Sequence, residues 1–283
     1  MHKYQGKYQA PHPKRPFLYI GLGCALLALL AAVYVGVFFL KAAQRKQASR
    51  QTAMEYVTPV TQPPAPTPEE TEAAQTTPST ESSVPETTVE TEPPRFPTVD
   101  FAGLREKNPD VVAWIQVPAP EGLDYPVVIG EDNAYYVNHS WQKEDSEEGS
   151  IFLDFRSQPD FSQPHNILYG HCMKDGTMFQ SLGQWEKESF LRGNDRSVLL
   201  YLPDEVRVYE IIGSERVNAL DSRVYKTDYA SDEVWEAALM ETIHKSQHGT
   251  DLELTAQSEV LTLSTCMGDM NRLVIHAVCV ERV

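Results

Sequence analysis

Cysteine is scarce in this chain. Four occur in 283 residues, and Cys24 lies in an apolar run, leaving Cys172, Cys266 and Cys279 elsewhere. Three thiols close at most one bridge, which excludes a disulfide scaffold. His165, His171 and His276 lack ligand spacing with cysteine and the acids are scattered, so no metal centre and no cofactor is expected. Acidic residues are missing from positions 1–50, which carry eight bases. Residues 51–97 hold eight acids against Arg95, and residues 98–283 hold 32 acids against 15 bases. A domain that acidic repels a phosphate backbone, so nucleic acid is excluded as a partner. Large apolar side chains are almost absent from Thr58–Pro97, which has ten of the twenty prolines among many Thr and Glu. Such a segment cannot bury enough surface to offset its ordering entropy.

What is present begins with Phe17–Leu40, 24 residues without a charge, long enough to span a hydrocarbon core of about 30 Å. Its length exceeds the apolar region of a cleaved signal peptide. The expected organisation is a basic tail (1–16), a transmembrane anchor (17–40), a disordered Pro/Thr/Glu-rich stalk (41–97) and a folded domain (98–283). Four Lys/Arg precede the span and four follow it, so the positive-inside count is tied; the stalk composition favours an outer position for everything beyond the anchor.

In the folded part, Asp100 caps a short helix from Phe101 that Pro109 ends. Strands are expected over 111–117, 124–129, 150–154 and 165–171, with a hairpin of 197–202 and 205–214 around Pro203-Asp204. Residues 178–191 look helical or turn-like. Ser231 caps a helix over 231–246 with acids in its first turn and Val234, Ala238 and Ile243 on its apolar face. Short, closely spaced strands predict a mainly β fold, a closed barrel of seven to eight strands.

The chemistry is concentrated at the end of the chain. Leu261, Leu263 and Thr265 alternate with Thr262, Ser264 and Cys266, the period of a strand with one buried face. After five residues containing Gly268, a second strand starts at Arg272. In the hairpin this implies, Cys266 and Arg272 face each other about 5 Å apart at the backbone. A thiol beside a permanent cation is a candidate nucleophile with an electrostatic helper. Taken singly, Cys266 also reads as a small buried hydrophobe, Arg272 as a surface cation and His171 as an ordinary turn residue. Tyr135, Tyr136 and Trp141 read as groove or core, Asp154 as a turn former, and Asp269 as a turn residue or a partner of Arg272.

Together these residues resemble a class B sortase, a membrane-anchored cysteine transpeptidase of Gram-positive bacteria. The resemblance runs through NPDVVAWIQVP (108–118), DYPVV (124–128), DNAYYVNH (132–139), GSIFLD (149–154), NILYGHCMKDGTMF (166–179) and TLSTC (262–266). It implies a sortase-type barrel with an N-terminal helix and an extra helix, 231–246, before the penultimate strand. It also implies Cys266 as nucleophile, His171 as acid and base, Arg272 as holder of substrate and oxyanion, and Ser264, Thr265 and Tyr136 as substrate-binding candidates. The implied partners are surface proteins with a C-terminal NPxT(G/N)-like sorting motif, a cell-wall peptide amine and the membrane, with the N-terminus cytoplasmic and the domain outside. Cys172 stands where the family commonly has Asn, and a reversible bridge to Cys266 is one reading of it. With ordinary pKa values only roughly 3% of Cys266 is thiolate and 24% of His171 protonated at pH 7, so slow turnover is expected. A cysteine peptidase using water as acceptor and a non-enzymatic anchored adhesin are the alternatives.

Overall fold

The computed structural model describes residues 27, 29–37, 40–41, 44, 50–60, 95–119, 123–246, 250–266 and 270–283, and only the backbone of Cys266. The basic tail, Cys24, much of the expected anchor, most of the expected stalk and Asp269 lie outside the described residues. The chain divides into two units, 1–48 and 49–283. In the first, residues 29–37 are helical and exposed; among the described residues no helix is long and apolar enough to cross a membrane.

In the second unit a two-stranded pair, β1 (Val57–Thr58) and β2 (Thr98–Val99), precedes helix α1 (Phe101–Lys107). Strands β3 (Val111–Val117), β4 (Leu123–Ile129), β5 (Ile151–Leu153) and β6 (His165–Gly170) follow, then a 3-10 segment Gln180–Glu186 and α2 (Glu188–Gly193). The chain ends with β7 (Ser197–Tyr201), β8 (Val206–Asn218), α3 (Asp232–Lys245), β9 (Val260–Cys266) and β10 (Asn271–Arg282). Eight strands close a barrel in the order β10-β8-β7-β3-β4-β5-β6-β9. Strand number and both helix positions agree with the sequence expectation. β4–β5 and β6–β9 are parallel, the other neighbours antiparallel.

The barrel has cores on both sides of its wall. Ala113, Ile115, Leu168, Leu261, Leu263, Leu273 and Ile275 fill the interior. Trp114, Val111 and Val128 face outward under Phe101 and Leu104. This double burial is why β3 reads VVAWIQV without polar alternation. Residues 50–58, assigned to the stalk by composition, join this outer core. Ala53 is buried, Val57 pairs with Val99, and Tyr56 meets Trp141 edge-on at 6.4 Å.

α3 starts where expected, the Ser231 hydroxyl accepting from Val234 N, and Ala238 and Ile243 lie on its packed face as expected, but Val234 does not. Trp235 and Leu239, one turn apart, are buried and pack on Ile212, Val260 and Val278. Val234 is 43% exposed. The larger side chains bury more apolar area and so set the rotation of the helix.

Candidate active site

The backbone ladders bring three of the sequence-named residues to one level. β6 runs parallel to β9 with Tyr169 opposite Ser264 and Gly170 opposite Thr265; His171 and Cys266 are the next residues on each. β10 lies on the other side of β9 with Arg272 opposite Cys266. Neighbouring strands are about 4.8 Å apart, so the three positions form one row across three strands. The six-residue spacing from Cys266 to Arg272 thus gives the register expected of it.

Gly170, just before His171, has no room for a side chain. A Cβ there would come within 2.5 Å of Ile151 Cδ1 and 2.8 Å of the Phe179 ring, a clash no ordinary packing absorbs. The His171 ring is oriented by its Nε2–H, which donates to the Val137 carbonyl at 2.6 Å. A carbonyl only accepts, so this nitrogen carries the proton. Gly149, whose φ is +59°, lies beside this segment, and its missing Cβ leaves room for the Tyr136 and Val137 carbonyls.

Beside this row is a cleft of about 400 Å³, lined by Asn133, Val137, Tyr169, His171, Tyr225, Ser264, Thr265 and Arg272 among others. Ser264 and Thr265 line the cleft. Ser264 is buried with its Oγ 3.1 Å from the Tyr225 hydroxyl, and the Thr265 hydroxyl is buried with no hydrogen-bond partner among the described residues. The Arg272 guanidinium donates to the Asn271 carbonyl at 3.0 Å.

Tyr136 is not in the cleft. It is 1% exposed, donates to Asp110 Oδ2 at 2.7 Å and accepts from Asn108 Nδ2 at 2.9 Å, so the groove role expected of it is corrected to a core one. Its neighbour Val137 takes the wall position, because the 3-10 turn Tyr135–Val137 rotates successive side chains by about 120°. Trp141 is likewise buried, at 5% exposure. Cys172 is half-buried, its backbone bridged to Met178. No group of three or more His, Cys, Asp or Glu placed to hold a metal occurs among the described residues.

Sequence reasoning passed over Asn133, Tyr169 and Tyr225 as cleft residues. It took Asp154 for a turn former, and Asp154 does accept from Arg156 N at 3.0 Å, but the rest of its role was not foreseen. Asp154 is fully buried, and its carboxylate accepts from Arg156 Nε at 2.8 Å, Arg156 Nη2 at 2.7 Å, Tyr169 Oη at 2.9 Å and Asn133 Nδ2 at 3.0 Å. Burial acts to raise its pKa, but the hydrogen bonds from Arg156 and Tyr169 outweigh that and hold it below the ordinary carboxylate value. Burial and the Asp154 charge push the Tyr169 hydroxyl up, so it stays protonated and donates. The segments DNAYYVNH and GSIFLD contain two of these residues, but nothing in their spacing says they meet.

A family model for the sortase domain matches residues 115–280. Sortase B of Staphylococcus aureus (strain NCTC 8325 / PS 47) is 32% identical over 168 residues, 59% of this chain and 67% of that protein. Sortase B of Listeria monocytogenes serovar 1/2a (strain ATCC BAA-679 / EGD-e) is 29% identical over 172 residues, with 59% and 67% covered. The X-ray structure of Clostridium perfringens sortase B aligns with a TM-score of 0.61 at 33% identity, covering 64% of this chain and all of that one.

Proposed function

The chain belongs to the sortase family, on its class B branch, and we propose that this cysteine transpeptidase cuts an NPxT(G/N)-like motif after Thr and joins the acyl group to a cell-wall peptide amine. The observation that carries the reading is the row of Cys266 and Arg272, paired on β9 and β10, and His171, directly after β6 on the other side of β9, beside one cleft.

In this mechanism the Cys266 thiolate attacks the Thr carbonyl carbon, and the Arg272 fork stabilises the oxyanion. As the intermediate collapses, the C–N bond breaks and His171 protonates the departing amine. An incoming amine then gives a proton to His171 and attacks the thioester, breaking the C–S bond and returning the thiolate. The partners are a surface protein with a C-terminal sorting motif and a wall-peptide precursor. The apolar run 17–40 supports a single-pass anchor, and the Pro/Thr/Glu-rich composition beyond it supports a cytoplasmic N-terminus and an extracellular domain.

The test uses the full chain with NPxTG and NPxTN peptides and a glycine-peptide or wall-peptide amine, read by mass spectrometry. The expected result is a ligated product that disappears in Cys266→Ala. Release of free acid alone, with amine present, would make the chain a peptidase, and intact turnover in Cys266→Ala would end any reading through this thiol.

A further inference from the structure

We infer that Asp154 is a positioning residue for the substrate wall of the cleft: a buried carboxylate that never reaches the cleft but sets the side chains that do. This rests on the transpeptidase reading above.

The argument starts from how the carboxylate is used. Oδ2 takes donors from three places in the chain: Asn133 after β4, Arg156 after β5 and Tyr169 on β6. Oδ1 takes the Arg156 backbone N–H and Nε. A turn-forming aspartate needs only the local N–H and sits at the surface; this one is fully buried and ties distant segments together.

Each donor leads to the cleft. Asn133 is fixed at both ends of its amide, since its Oδ1 accepts from Phe155 N at 3.0 Å. Arg156 Nη2 also donates to the Tyr225 carbonyl at 2.8 Å, anchoring the segment between β8 and α3. The Tyr225 ring stacks on Tyr169, centroids 6.1 Å apart, and its hydroxyl meets Ser264. Asn133, Tyr169, Tyr225 and Ser264, all cleft residues, thus depend on one carboxylate. Cys266 and Arg272 are set by the β9–β10 ladder, and His171, directly after the β6 ladder, is oriented by Val137; none of the three bonds to Asp154 in these contacts. Loss of the Asp154 charge therefore displaces the wall that orients the peptide while leaving the reacting groups in register.

The consequence is a split between binding and chemistry. In Asp154→Asn, KM for the sorting peptide rises about 10- to 100-fold, while kcat per alkylatable Cys266 stays within about threefold, as expected when uniform binding is lost. Tyr169→Phe keeps the ring and removes one donor, and raises KM by a smaller factor. The double variant Asp154→Asn/Tyr169→Phe is no worse in KM than Asp154→Asn, because the Tyr169 bond is one of those that the Asp154 change already weakens. The measurement is steady-state kinetics of the full chain with the NPxTG peptide and amine acceptor, alongside melting temperature. A lowered melting temperature with unchanged KM would reduce Asp154 to a structural role and overturn the inference. Should Asp154→Asn fail to fold, Tyr169→Phe and Asn133→Ala carry the test, and unchanged KM in both overturns it equally. Wild-type chain without Cys266-dependent cleavage sinks the transpeptidase reading and this inference with it; wild-type turnover with unshifted variant KM sinks this inference alone.

Discussion

Arg272 contributes a shape as well as a charge. Its planar fork presents donors in a fixed geometry, whereas lysine offers a point charge on a flexible stem. Arg272→Lys is expected to lower kcat by about 10²-fold, in line with removal of an oxyanion donor, with little change in melting temperature because residue 272 sits at the start of β10 at a partly exposed position. Peptide cleavage kinetics would check this, and a variant within about threefold of wild type would move the oxyanion role elsewhere. The pairing of this residue with Cys266 was legible in the sequence, because a period of two and a five-residue connection are both local signals. The fate of Tyr136 was not. An aromatic in DNAYYVNH reads equally as wall or core, and only the buried partners Asn108 and Asp110 decide between them.

Among the elements, the short stretch from Tyr135 to Gly149 has more influence on the site than its irregular structure suggests. Gly149 has φ +59° and lies against the carbonyls of Tyr136 and Val137. Alanine in that conformation costs about 1–2 kcal/mol from backbone strain alone, and its Cβ also displaces the carbonyl that accepts the His171 hydrogen bond. Gly149→Ala is therefore expected to lower both the melting temperature and kcat, the second by more than unfolding explains; kinetics well below the melting transition would separate the two. α3 shows the limit of periodicity. Its start was legible from Ser231 and the acids that follow, and so were Ala238 and Ile243 on its packed face, but the fully buried anchors are Trp235 and Leu239, whose contacts lie on strands far off in sequence. Composition likewise assigned residues 50–58 to the stalk, although their apolar content is enough to pair with β2 and cover one side of the barrel.

For the molecule as a whole, a buried histidine pair predicts acid sensitivity. His165 Nε2 and His276 Nδ1 both lie against the Thr262 hydroxyl, at 2.8 and 2.9 Å, beneath α3, with Trp235 stacked on His165 at 5.7 Å. Burial lowers His165 to about 4, opposed by its bond to the Lys226 carbonyl. Burial, with the nearby His165 and Arg223 charges, lowers His276 to about 3. Both folded values lie below the unfolded value of about 6.5, so in between the unfolded chain binds more protons and stability falls as the pH is lowered. The contribution is fully present above about pH 6.5 and is lost progressively down to the folded values. Melting temperature measured from pH 8 to pH 4 is expected to decline, and the decline should be shallower in His276→Gln; parallel curves would remove the pair from the account.

The sequence by itself determined what neighbouring residues can settle: which segments are strands, where helices are capped, the β9–β10 hairpin with Cys266 opposite Arg272, and the partition of charge along the chain. Local periodicity, turn chemistry and solvation are short-range, and they leave their mark on adjacent residues. Only the tertiary structure decided that β6 lies parallel to β9, bringing His171 level with Cys266, and that Asn133, Asp154, Tyr169 and Tyr225 converge. Those contacts join residues far apart along the chain, and they follow from burial summed over a closed barrel rather than from any spacing within a segment.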